Sequence, residues 1–387
     1  MLRLSRIIAI SYIAICLLAL ALTALFGPLG YAPFPLIPAR ARPPIVVTLW
    51  YSTEKREWLE ASKAAFEQTN PTYGGRPIQV ELKGLGSPEI AQRVAREDWR
   101  GETPPTAISP ASDIWLTMLN VPVSEAPQPL VLSPLVVVGW ADRAKVLWPN
   151  GPKNFWHDLH DALVNQGGWK ALGGSESWGP VKFGHTSPLT SNSGAQTLIL
   201  LAYAFHSKSS GLTTADINDP GFITWLQGIE GSVASFGDST GTFMNDIVTK
   251  GPSQYDFGVV YENLALQNMD AAQQRQGQPL RIYYPPATLL SDHPFAALDG
   301  AWIKPEQRAA ALVFRDFLRS NTSQKLALRY GFRPVDPNVA ITVDEDGNPF
   351  KKYAPNGVQI DIASQAETPS AQVLGGLLEM WKNQVKR

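Results

Sequence analysis

At Ile45 the sequence turns abruptly apolar: IVVTLW (45–50) has a single hydroxyl among hydrophobic side chains, the pattern of a strand covered on both faces. The segment after it constrains the fold more than any single motif does. REWLEASKAAFEQTN sets Trp58, Leu59, Ser62, Ala65 and Phe66 along one helical stripe, and IQVEL (78–82) reads as a second strand. Ser87-Pro88 then opens another helix, with proline where its missing N–H costs least. Strand, helix, strand, helix with buried strands predicts a parallel α/β class. The 387 residues, 44% of them hydrophobic, suffice for two units of that kind.

The alternation continues. LVLSPLVVVGW (130–140) is the most strand-like stretch, and VKFGH (181–185), DFGVVY (256–261) and LRIYYPP (280–286) read as further strands. QTLILLAYAF, ENLALQNMDAAQQR and PEQRAAALVFRDFLRS read as helices, the last with Val313, Phe314, Phe317 and Leu318 on one face. TSQKLALRY closes at Gly331, a residue suited to a C-cap. Basic and acidic side chains balance, 33 against 34, and no Lys/Arg block stands out, so no nucleic-acid partner is expected.

The N-terminus carries a separate expectation. MLRLSR holds Arg3 and Arg6, and residues 7–26 run without a charge. As a helix that run would span about 30 Å, so an N-terminal transmembrane helix is expected, its basic start inside and the rest of the chain membrane-anchored on the extracytoplasmic side. Cleavage as a signal segment, near Ala39-Arg40-Ala41, is the alternative. GPLGYAPFPLIPARARPP (27–44) reads as an extended tether. Cys16, the only cysteine, lies inside the apolar run, so it reads as lipid-facing and no intrachain disulfide can form.

Several stretches carry a resemblance that covers about residues 45–340: LWYSTEKREWLEASKAAFEQTNP, SPASDIWL, LVLSPLVVVGW, KFGHTSPLTSNSGAQTLILLAYAF, SFGDSTGTFMNDIVTKGPSQYDFGVVYENLAL, YYPPATLLSDHPFAALDGAWI and QKLALRYGFRPVD. Together they resemble a bacterial extracellular solute-binding protein of the type II periplasmic-binding-protein fold, the receptor component of ABC importers. Some relatives of this branch stand beside von Willebrand factor A-type modules, and none is evident in this sequence. The resemblance implies a two-lobed α/β clamshell, with lobe I at 45–131 and 287–387 and lobe II at 132–286. It implies a non-catalytic receptor for a small polar solute, working with permease subunits of an ABC import system. No cofactor is implied.

Residue by residue, the resemblance places Ser52 and Thr53 in the first cleft loop and Ser109 in the second. Ser191, Asn192 and Ser193 fall in the third, Ser239 and Thr240 in the fourth, and Tyr261 with Glu262 at a strand end. The twin-tyrosine signature of ferric-ion binders is absent, and no arginine occupies these turns.

The residues support part of this on their own. Ser191, Asn192 or Ser193 can cap the next helix, whose first N–H groups lack intrahelical partners and can cradle a polar or anionic group, or the turn is a cap facing water. YSTEK (51–55) is likewise a strand end running into a helix; its S-x-x-K lacks the S-D-N and K-T-G companions of penicillin-binding enzymes. GDSTG (237–241) matches the nucleophile elbow, which leaves a serine hydrolase using Ser239 as a rival to a binding turn. A cell-surface sensory module with the same clamshell is another rival. Glu262 would repel an oxyanion and favours a cationic or neutral polar solute, unless it forms an ion pair across the hinge. His157 and His160, three apart, lack the further ligands that zinc needs, so no metal site is expected.

Overall fold

The computed structural model describes residues 11–22, 42–343 and 347–385. Two mixed sheets organise residues from 45 onward. The first runs, in spatial order, Thr72–Tyr73, Arg76–Leu85, Ile45–Ser52, Ala107–Ser109, Pro294–Ala297 and Gln128–Pro129. Its centre is parallel, with Ile45–Ser52 paired to Arg76–Leu85 and to Ala107–Ser109, as the strand–helix alternation predicts. The second runs Leu290–Ser291, Val131–Trp140, Phe257–Tyr261 and Phe183–Gly184, with Leu280–Tyr283 and Arg333–Pro334 also paired to the long strand.

Val131–Trp140 joins the two halves. Its first residues pair with Arg333–Pro334 and Leu290–Ser291, and the rest with Phe257–Tyr261 and Leu280–Tyr283. Every residue of it is buried except Leu132, which explains its unbroken apolar reading. Helices cover both sheets by the stripes legible in sequence. In Arg56–Gln68 the buried residues are Trp58, Leu59, Ser62 and Phe66, and Phe66 packs 5.0 Å from Phe314 of the Pro305–Leu318 helix. Gly331, at φ +75°, takes the left-handed conformation that follows the Asn321–Arg329 helix.

The C-terminal residues pack on the second core. Phe350, Val373, Leu374, Leu377, Met380 and Trp381 are buried there with the Asn192–Phe205 helix and the Val131–Trp140 strand.

The expected transmembrane helix over residues 7–26 is corrected. Its described part, residues 11–22, is helical, but twelve residues rise only about 18 Å against a hydrocarbon core of about 30 Å. Among the described residues no helix is long and apolar enough to cross a membrane. Residues 7–10 and 23–26 lie outside the described residues, as does the expected tether up to residue 41. The membrane anchor, and the cell-membrane location that depended on it, are withdrawn with the helix.

Candidate functional site

Where Ile45–Ser52 and Arg76–Leu85 end side by side, Ser52 opposite Leu85, the first sheet presents its strand C-termini toward the second sheet. A narrow crevice of about 10 Å³ lies there, lined by Ser52, Thr53 and Glu54, by Leu85, Gly86 and Ser87, and by Ser191, Asn192, Ser239, Thr240 and Tyr261. Seven of the ten sequence-assigned residues therefore meet in one place: Ser52, Thr53, Ser191, Asn192, Ser239, Thr240 and Tyr261. Thr53, Glu54 and Ser239 also border an outer vestibule of about 260 Å³ that includes Asn245, Gln267 and Asn268.

Helix starts converge on the cavity. Ser87–Ala95, Asn192–Phe205, Thr240–Lys250 and Glu262–Gln276 begin at or next to lining residues, with Gly86, Ser191, Ser239 and Tyr261 as their caps. Each brings the positive end of its dipole, though Pro88 has no N–H, Thr242 N donates to Ser239 Oγ at 3.4 Å and Asn263 N to Ser133 Oγ at 3.3 Å. Between them lies a cluster of hydroxyls. Ser193 Oγ stands 2.7 Å from Thr186 Oγ1 and 2.7 Å from Thr240 Oγ1, and Ser191 Oγ lies 3.2 Å from Thr240 Oγ1. Hydroxyl protons rotate, so such a cluster can exchange an internal contact for one to a solute. Asn192 is oriented from both ends: Trp115 Nε1 donates to its Oδ1 at 2.6 Å, and its Nδ2 donates to Tyr261 Oη at 2.7 Å.

The other three assigned residues are not lining. Ser193 stands one hydrogen bond behind the wall, joined to Thr240. Ser109 is fully buried beside Tyr51, and its hydroxyl has no partner among the described residues. Glu262 faces away from the cavity and takes a two-pronged ion pair from Arg333, Nε and Nη2 each donating at 2.7 Å, with the Tyr284 hydroxyl as a third donor. Burial raises its carboxyl and Arg333 pulls it back. Glu262 therefore holds the crossing together.

Sequence reasoning missed a buried ionic group behind Ser52. Lys55 is fully buried, its Nζ 3.2 Å from Pro110 O, 3.2 Å from His293 Nδ1 and 3.5 Å from Glu54 Oε1. Burial would raise the Glu54 carboxyl, but the Lys55 charge, the His293 ring and the Ser52 hydroxyl together outweigh it and hold it at about 2. Burial pulls Lys55 down to about 8 against that attraction. Burial and then the neighbouring Lys55 charge push His293 down to about 4. The Glu54 charge is thus answered from behind, and the cavity carries no exposed excess of negative charge from it. Read alone, a Glu-Lys pair at a helix start looks like a solvated first turn, so no sequence signal marked it.

This group predicts a pH dependence. Unfolded, His293 binds its proton near pH 6.5, whereas folded it does so only near pH 4. Its contribution is present in full above pH 6.5 and is lost as pH falls through about 4. Asp292, raised to about 6 by burial and by Asp113, works in the opposite sense between about pH 6 and 4 and offsets part of the loss. The melting temperature should therefore decline more between pH 7 and 4 in the unmodified protein than in His293→Gln; equal slopes would show that His293 does not control it.

Ser239 is a helix cap. Its Oγ accepts from Thr242 N at 3.4 Å and lies 2.9 Å from Thr242 Oγ1. Residues 233–236 form no strand, so the strand half of an elbow is missing, and none of the hydrogen bonds of Ser239 among the described residues involves a histidine. The hydrolase alternative has no support. Ser239→Ala should cost about 1 kcal/mol of stability by loss of the cap, measured by urea unfolding; no change would remove the capping role.

The sequence profile of a known family matches residues 47–333, and its description is bacterial extracellular solute-binding protein. The chain belongs to this family. Its members are non-catalytic solute receptors of ABC import systems, so this protein binds and delivers a solute and performs no reaction. No curated protein sequence matches the chain. Among solved structures, the sulfate-binding protein SubI from Mycobacterium tuberculosis is 22% identical at a TM-score of 0.53, over 87% of this chain and 96% of that one. A periplasmic thiamin binding protein is 14% identical at 0.61, over 88% and 96%. Iron-bound HitA from Pseudomonas aeruginosa is 16% identical at 0.55, over 88% and 98%. At such identities the likeness shows the fold, a two-lobed clamshell.

Proposed function

We propose that the protein closes its two lobes, divided near residues 131 and 287, on a small anion held by neutral donors, and passes it to a permease. The observation that carries this reading is the convergence of four helix starts and a hydroxyl cluster on one cavity between the sheets. Oriented N–H groups and dipole ends favour negative charge, and the ionised carboxylate in the lining, Glu54, is answered by the buried Lys55 behind it. At about 10 Å³ the crevice has room for no more than about one water, so a solute is admitted only as the lobes part.

The preference for a cationic or neutral solute rested on Glu262 facing the cleft. With that carboxylate paired to Arg333, the argument against an oxyanion loses its ground, and the helix starts favour an anion. The fold does not choose the solute, since the names of its solved relatives point to sulfate, thiamin and iron.

Calorimetric titration with sulfate and with phosphate tests the reading. Ser191→Ala and Thr240→Ala each remove a lining hydroxyl; a hydrogen bond to a charged group contributes about 1.5–3 kcal/mol, so each should weaken binding about tenfold or more. Unchanged affinity in both variants would remove the hydroxyl cluster from the binding account.

A further inference from the structure

The family profile ends at residue 333, yet the chain continues for another 54 residues, described to 385 except at 344–346. This extension follows a defined path. Arg333, fixed by Glu262, donates to the carbonyls of Gln359 and Ile360. Thr288 N donates to Ser364 O at 3.2 Å and Ala366 N to Thr288 O at 2.9 Å, tying the extension to the crossing segment. Tyr203 Oη then donates to Glu367 O at 3.0 Å, on the Asn192–Phe205 helix. The Ala371–Met380 helix buries Val373, Leu374, Leu377 and Met380, and delivers Trp381 to a fully buried position.

From Trp381 a continuous path leads to the cavity. Its Nε1 donates to Glu230 Oε2 at 2.9 Å. Glu230 Oε1 lies 3.0 Å from His185 Nε2, and His185 Nδ1 lies 2.8 Å from Thr186 O. Thr186 Oγ1 meets Ser193 Oγ at 2.7 Å. A second branch runs through Phe236, whose ring stands edge-on 5.2 Å from Trp381 and 5.2 Å from His185. Gly237 is the next residue; its N–H donates to His185 O at 3.3 Å, and its carbonyl accepts from Ser187 N at 2.8 Å. Both turns that carry the lining hydroxyls, at 191–193 and 239–240, are thus joined at a bridge braced from the C-terminus.

We propose that Trp381 is a positioning residue for solute binding, which fixes the two hydroxyl-bearing turns through Glu230, His185 and Phe236. This rests on the reading that those turns hold the solute. Removing the indole N–H leaves a buried carboxylate oxygen without its donor, and a buried unsatisfied group costs about as much as the bond was worth or more. The cost falls on the bridge and loosens it.

Amide hydrogen exchange needs no solute and decides the coupling. In Trp381→Phe the amides of Ser187 and Gly237 should exchange about tenfold faster, beyond any change in Leu377→Ala, which perturbs the same terminal helix but keeps the indole donor to Glu230. Glu230→Met should loosen the same amides, whereas Glu230→Gln, which can accept from Trp381 and offers its amide to His185 Nε2, should keep them near the unmodified rate. These variants carry the test if Trp381→Phe fails to fold. Sulfate affinity should fall about tenfold in Trp381→Phe, through faster dissociation. Exchange that rises only within 371–380, or equally in Leu377→Ala, would overturn the proposal. Should sulfate fail to bind the unmodified protein while the two amides still respond, the solute reading falls and the brace stands.

Discussion

Glu262→Gln will lower the unfolding free energy by about 3–5 kcal/mol and leave the choice of solute unchanged. Glu262 is wholly buried and answers the Arg333 guanidinium through both carboxylate oxygens, while the Tyr284 hydroxyl also donates to it. Removing one partner of such a pair strands the other charge in a low-dielectric interior, which costs more than the pair contributes while intact. The position magnifies the effect, because Arg333–Pro334 pairs with the start of the Val131–Trp140 strand that connects the two sheets. A double variant, Glu262→Gln with Arg333→Met, should recover part of the loss, since no uncompensated charge then remains. Native stability in Glu262→Gln together with altered selectivity between anions and cations would place the carboxylate in the cleft after all.

Gly86→Ala will weaken solute binding roughly 10–100-fold and barely change the stability of the solute-free protein. Gly86 lines the cavity as the cap of Ser87–Ala95, at φ −69° and ψ 144°, values that alanine adopts freely. Space is the constraint: an added Cβ would lie 2.3 Å from Thr190 O, in the turn that leads to Ser191. On the proposed lobe closure, the clash falls on the state in which Gly86 and Thr190 meet. Overpacking of this kind costs about 1–3 kcal/mol, borne here by the closed state alone and read out as lost affinity at about 1.4 kcal/mol per tenfold. Urea unfolding of the solute-free variant gives the stability arm. Unchanged affinity would mean that Gly86 and Thr190 are apart when solute is bound.

How much of this the sequence disclosed depends on the range of the signals. The α/β alternation, the buried Val131–Trp140 strand and the helix stripes rest on neighbours a few residues apart, and periodicity reports those directly. The cavity turns were legible for the same reason: a polar turn between an apolar strand and a helix is a local pattern, and the resemblance aligned several such turns. For Glu262 an ion pair across the hinge was one of the readings left open, but its partner could not be named, because Arg333 lies 71 residues away. Glu54, Lys55 and His293 escaped because burial of a charge depends on what packs over it. Gly86 and Ser87 line the cavity, but they looked like a helix start and no more. The apolar run at 7–26 gave a strong hydropathy signal, yet the described helix covers only residues 11–22 of it.

Parallel calorimetric titrations of the full-length protein with sulfate, phosphate and thiamin test the central claim most directly, repeated with Gly86→Ala. The account predicts that at least one of the two oxyanions binds with micromolar or tighter affinity, that Gly86→Ala weakens this binding at least tenfold, and that thiamin gives no heat of binding. Tight binding of cationic thiamin, with no response to either oxyanion, would contradict it, because oriented helix starts cannot be the device that holds a cation.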